Sequence, residues 1–135
     1  MATITIDASS QANIQGVNTV QSDAVSNLQA ALVTFTPSGT YDQDASEPIE
    51  LTNVDEAIEQ SRRNGKTVTL VDAVGYQDAP LAATPGTRHV PTTVAVATND
   101  VTCDIYVLGG SEYTDDTALP TYQRPMGVLV TFTEA

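Results

Sequence analysis

Two residues carry the chemistry that catalysis most often borrows, and each occurs once in this chain: His89 and Cys103. An imidazole works as acid or base only beside a group that orients it, and no partner is advertised near His89, which reads as a loop residue between Arg88 and Pro91. A single histidine also cannot build a His-based metal set. A cysteine becomes a nucleophile when a neighbour lowers its pKa, but Cys103 falls on the apolar face of a predicted strand and reads as a buried structural thiol. The run Asp42-Gln43-Asp44-Ala45-Ser46 imitates the first half of an EF-hand calcium loop, where alternate oxygens coordinate the ion. Its second half fails: Glu47 stands where the sharp turn needs glycine, Pro48 follows, and Asn53 stands where a bidentate glutamate belongs. Asp42, Asp44, Glu47 and Glu50 therefore read as a solvated acidic loop, as do Glu112, Asp115 and Asp116. Gly109-Gly110 follows a strand but lacks the later glycine and lysine of a phosphate loop. No catalytic, cofactor-binding or metal-binding residue is assigned, and the expectation is a protein that is not an enzyme.

Charge says more. Seventeen Asp plus Glu stand against five Lys plus Arg, a formal net charge of -12 on 135 residues, and Lys66 is the one lysine. So many carboxylates repel one another in a compact body, and salt relieves the repulsion because the Debye length falls to about 3 Å at molar ionic strength. Such a balance disfavours nucleic acid, whose phosphates are bound largely by basic groups that displace counterions. Arg62, Arg63 and Lys66 form the one basic cluster, explained by complementing a helix C-terminus, with a salt bridge to an acidic partner surface as the second reading. The chain holds no run of 18 apolar residues and opens on no charged-apolar-small signal segment, and one cysteine with no Asn-X-Ser/Thr site gives no sign of secretion. The expectation is a product made in the cytoplasm, with no membrane partner.

The elements follow from periodicity. Ile4 and Ile6, and residues 66–74, 92–98, 101–108 and 126–133, alternate with period two and are rich in β-branched residues. This is a mainly β, single-domain antiparallel sandwich or barrel spanning 1–135, with long loops. Asn99-Asp100 reads as a two-residue hairpin turn, pairing Thr98 with Val101, Val96 with Cys103 and Val94 with Ile105. Val94, Val96, Val101, Cys103, Ile105 and Val107 then share one buried face. One short helix spans about 53–64: Asn53 caps it, Glu56 completes a capping box, and Asn64-Gly65 stops it. Residues 9–32 repeat apolar positions every three to four, yet Gly16 and many Ser, Thr and Asn residues weaken a helix, so 1–27 reads as an extended or partly helical arm. LVTFT occurs at both 32–36 and 129–133, as two independent strands of common β-formers and not as a repeat.

Two irregular stretches remain, 75–91 and 109–125, longer than the ~12 to 15 residues beyond which structureless loops are uncommon in compact domains. Each contains tyrosine, arginine and proline, residues suited to burial on a partner. Tyr76, Arg88, Tyr113, Tyr122 and Arg124 are the expected contact residues.

A short, acidic, cysteine-poor β domain with one helix, long Pro- and Tyr-bearing loops and no catalytic site resembles the capsid decoration (cement) proteins of tailed viruses. The shortage of lysine on an acidic, Thr-, Val- and Ala-rich chain resembles proteins of extreme halophiles and their viruses. The first resemblance implies a structural virion protein, a homo-oligomer and commonly a trimer, that binds the major capsid protein and stabilises the shell. Alternatives are a tail or neck component, or a small halophilic enzyme or ligand-binding domain with its pocket in the long loops.

Overall fold

The computed structural model describes residues 3–11, 13–19, 28–76, 80 and 86–135. The chain runs β1 (Ile4–Asp7), α1 (Ala8–Gln11), β2 (Asn13–Thr19), β3 (Gln29–Phe35), β4 (Thr40–Tyr41), β5 (Ile49–Thr52), α2 (Val54–Arg62), β6 (Val68–Gly75), β7 (His89–Ala97), β8 (Asp100–Val107), β9 (Thr117–Ala118) and β10 (Met126–Glu134). Two four-stranded sheets, ordered β1-β5-β8-β7 and β2-β3-β10-β6, enclose the core, and β4 with β9 form a small third sheet. This is a sandwich; no barrel closes. Alternation decides what is buried: Val101, Cys103 and Ile105 on β8, Ile49 and Leu51 on β5, and Val128, Val130 and Phe132 on β10 are all within 2% of complete burial. The pairing is antiparallel throughout except that β1 lies parallel to β5, with Ile4 opposite Ile49.

The expected N-terminal arm is built into the body. β1 completes one sheet and β2 the other, where it lies antiparallel to β3; residues 20–27 of the expected arm lie outside the described residues. The helix-like spacing at the start of this region has a specific cause. The β2 register shifts between Ile14 and Val17, so residues three apart still fall opposite inward positions, Val33 and Ala31. A bulge makes i and i+3 equivalent on a strand, and Gly16 sits inside it.

The β7–β8 hairpin buries Val101, Cys103 and Ile105 of its predicted face and leaves Val94, Val96 and Val107 half-buried, but its two-residue turn falls one residue earlier, which moves the partner of Val101 by two positions. Thr98 and Asn99 form the turn, with Thr98 at φ 60°, Ala97 opposite Asp100 and Val96 opposite Val101. A two-position shift preserves the period-two faces, which is why Cys103 and Ile105 remain buried. Val94 and Val96 are half-buried against the core, past a bulge where Thr93 takes φ 53°.

The shifted turn lies against the start of α2. The Asp100 carboxylate accepts the Asn53 amide at 3.1 Å, and the Asn99 carbonyl accepts the Val54 amide at 3.0 Å. The hairpin thus serves the helix N-terminus, whose orphan amides need acceptors. Asn53 does not cap: it adopts a left-handed conformation, makes no side-chain cap bond, and donates Nδ2 to Asp7 Oδ1 at 3.3 Å. Glu56 accepts from Gln60 on its own helix and forms no capping box. The left-handed stop falls on Arg63, whose amide reaches the Glu59 carbonyl, one residue before the predicted Asn64-Gly65.

The two LVTFT segments meet. They lie on β3 and β10, antiparallel neighbours, with Leu32 directly opposite Leu129.

Candidate contact surface

The large hydrophobic side chains left exposed among the described residues are Val71, Val74, Tyr76, Leu108 and Leu129. All gather around β6. Val71 and Val74 lie on it, Tyr76 follows it, and Leu129 pairs with Val74 across the β10 ladder. Leu32 extends the row onto β3 opposite Leu129. β6 exposes two valines because of a second bulge: its register with β10 shifts between Thr131 and Phe132, which leaves Val71 unpaired between Leu70 and Asp72. Gly127 is the floor of this patch. A Cβ there would stand 3.0 Å from Leu32 Cδ1 and 3.2 Å from Tyr76 Cβ, so both side chains lie across it.

The surface turns a corner into a groove of about 420 Å³, whose lining includes Val74, Pro91, Thr92, Val94 and Leu108. Here β6, the edge of one sheet, meets β7, the edge of the other. They touch because Gly75 has no side chain: a Cβ would lie 2.4 Å from the Pro91 carbonyl oxygen. Both edges are blunted against strand addition, β7 by Pro91 and the Thr93 bulge, β6 by the Val71 bulge.

Charge divides the two outer faces. The outward rows of the β1-β5-β8-β7 sheet carry Asp7, Glu50 and Asp104. Burial pushes the Glu50 and Asp104 carboxyls above the usual range, and neighbouring carboxylates add to it, Asp100 and Glu47 for the first and Glu112 for the second. On the β6 side, Asp72 is the one carboxylate exposed on the strand, among Thr69, Val71 and Val74.

The expected contact residues separate into two groups. Tyr76 is 42% exposed on the apolar patch, and Arg88 and Arg124 are exposed. Tyr122 is buried, with its hydroxyl joined to His89 Nδ1 at 2.6 Å. Tyr113 is half-buried, donates to the Ala118 carbonyl at 2.7 Å, and packs edge-on against Tyr41 and His89. These two tyrosines hold the 109–125 segment to the body, helped by the β4–β9 pairing and by the Tyr113 amide on the Ile105 carbonyl. That segment is part of the fold and not a projecting arm. Of the 75–91 stretch, residues 77–79 and 81–85 lie outside the described residues, and β7 already begins at His89.

His89 is therefore no loop residue. It is 1% exposed on β7, both ring nitrogens are used, Nε2 with Thr87 Oγ1 at 3.0 Å, and burial holds its pKa below the usual value. Tyr41, fully buried, donates to Glu112 Oε2 at 2.7 Å and accepts the Ile105 amide at 3.0 Å. These are satisfied core polar groups, and their signal in sequence is only that each aromatic carries a polar end. Burial pushes the Cys103 thiol up to about 12, so the thiolate that nucleophilic chemistry needs is not available at neutral pH.

The acidic loops come together in an order the sequence does not show. Asp42 and Asp44 meet Asp115, with one carboxylate oxygen from each within 4.8 Å of the others. Backbone amides donate to two of these carboxylates: Asp44 N–H to Asp42 Oδ1 at 2.9 Å, and Gln43 N–H to Asp115 Oδ1 at 2.8 Å. Gly109-Gly110 is a tight turn ending β8, with the Gly110 amide on the Val107 carbonyl. Arg62 faces inward to Glu134, not outward to a partner. Among the described residues no helix is long and apolar enough to cross a membrane.

Compared with known proteins, the chain matches no family model, no curated protein and no solved structure.

Proposed function

We propose that this chain is a structural virion protein, a capsid decoration protein that binds the major capsid protein and stabilises the shell as a homo-oligomer. It acts by contact and not by catalysis, in a salt-rich setting. The observation that carries this reading is the gathering of the exposed large apolar side chains around one strand of a body with net charge -12. A solvated monomer gains nothing from such a concentration, whereas a contact protein does. Arg88 and Arg124 flank the His89–Tyr122 contact in sequence and are exposed at that end of the sandwich. They are the proposed cationic contacts to the shell, a role in which arginine forks suit carboxylates.

The test is an inventory of purified particles. A decoration protein is present at a copy number proportional to the major capsid protein, and a variant carrying Arg88→Ala and Arg124→Ala rebinds stripped particles at reduced occupancy. A chain found at a handful of copies belongs to the tail or neck. A chain missing from particles defeats the virion reading and leaves the groove as a small-ligand site.

A further inference from the structure

We infer that the β6-centred surface is where a second copy of this chain docks. The inference rests on the reading of the chain as a contact protein, and names the occupant of its apolar surface.

Two observations single out a second copy. The first is charge. Two bodies of -12 each repel on approach, and the acidic outer face with Asp7, Glu50 and Asp104 makes that approach worst there. The face with Leu32, Leu129, Val71 and Val74 carries one exposed carboxylate on β6, Asp72, so like molecules meet at least electrostatic cost through it. A basic partner would find better complementarity on the acidic face, and gains nothing from this one.

The second is area and shape. Three strands, β3, β10 and β6, at ~4.8 Å spacing and about 23 Å long offer a footprint of roughly 330 Å², under half of the ~800 Å² per partner that a stable interface buries. The groove beside it adds the missing depth: the patch presents projecting side chains, Tyr76 and Leu129, next to a recess walled by Val94 and Leu108. A surface with both a projection and a recess can take another copy of itself. The area remains modest, so association is weak at low salt. It strengthens as salt screens the remaining repulsion, the reverse of an interface held by ion pairs.

Sedimentation equilibrium of the full chain from low salt to molar KCl tests this. The expected result is a monomer at low salt that associates as KCl rises. Val74→Asp with Leu129→Asp on the exposed row abolishes association, while Ala95→Asp on the opposite outer face leaves it unchanged. Circular dichroism establishes that each variant is folded. Should the double variant fail to fold, Val71→Cys supplies a second measurement, since facing copies form an intermolecular disulfide under mild oxidation that Ala97→Cys does not. A wild-type chain monomeric at every salt concentration overturns the inference, as does association that survives in the folded double variant. A monomer that still coats particles, and loses occupancy through Val74→Asp with Leu129→Asp, assigns the surface to the shell; the inference then fails while the decoration reading stands. Association in solution without any presence on particles has the opposite meaning.

Discussion

Glu134, at the end of β10, is the best place to perturb this fold, because one carboxylate joins three separate segments, β10, β3 and the end of α2. Its side chain is 3% exposed and its oxygens accept from Arg62 Nη2 at 2.9 Å, Arg62 Nε at 3.2 Å, Asn64 Nδ2 at 2.8 Å and Gln29 Nε2. The fork of donors from Arg62, then Asn64 and Gln29, holds its pKa from an ordinary 4.5 down to about 2. At 1.36 kcal/mol per pH unit, that difference corresponds to about 3 kcal/mol of stability at neutral pH. Arg62 is 29% exposed, so solvent screens part of it, and about 2 kcal/mol is expected. The sign follows from the lowered folded pKa: the contribution is complete above pH 4.5 and disappears as pH falls toward 2. Glu134→Gln keeps the shape and removes the charge. Urea titrations at neutral pH are expected to show the variant about 2 kcal/mol less stable, with the gap closing between pH 4.5 and 2, where the wild-type carboxyl is itself neutral. A gap of under half a kcal/mol at neutral pH, or one that does not change with pH, refutes this account of the β10–α2 junction.

Gly75→Ala forces a Cβ into the Pro91 carbonyl at the β6–β7 corner and is expected to cost about 1 to 3 kcal/mol, the range for overpacking, in thermal or urea unfolding; full stability would show that the two edge strands part easily. Tyr122→Phe strands the buried Nδ1 of His89 and is expected to cost about 1 to 3 kcal/mol, most of it recovered when His89→Phe is added, a coupling that a double-mutant cycle reads directly. Ile105→Ala, at a fully buried position, is expected to cost about 2 to 5 kcal/mol in the same titration, and a loss under half a kcal/mol would remove Ile105 from the core. The melting temperature is expected to rise from low salt to molar KCl by more than that of a protein with balanced charge, and a flat profile would remove the salt-rich setting from the proposal.

β1, β3, β6, β7, β8 and β10, the helix α2 and the buried face of the β7–β8 hairpin were legible because each depends on period and on local chemistry, whereas β2, β4, β5 and β9 were not. What escaped depends on partners distant in sequence. Asn53 carries the right side chain for a cap, yet Asp100 and Asn99 serve the helix from 47 and 45 residues away, and the hairpin turn is shifted by one residue where it meets them. Ile14 and Val17 imitate a helix because a bulge is invisible to a fixed period. Tyr113 and Tyr122 look like interface residues, since exposed and core tyrosines have the same letters; the hydroxyl's partner, a carbonyl or His89, is set only by the fold. Arg62 beside Arg63 likewise gives no sign that one of the pair turns inward to Glu134.

The contact surface was hidden for a related reason, and a clue to it lay in β6 itself. Val68, Leu70 and Ala73 are buried while Val71 and Val74 are exposed, so apolar residues occupy both faces of one strand. A strand with two apolar faces is either central to a larger sandwich or in contact with something beyond the domain. β6 is an edge strand of its sheet, which argues against the first and supports the proposed contact. The acidic composition then acts on position as well as on environment. On the opposite outer face burial, and after it neighbouring carboxylates, raise the Glu50 and Asp104 pKa values, whereas among the described residues of β6 Asp72 is the one exposed carboxylate, so net charge disfavours contact least around β6. Salt, by weakening that repulsion, is expected to favour both the folded state and the proposed association of copies around β6.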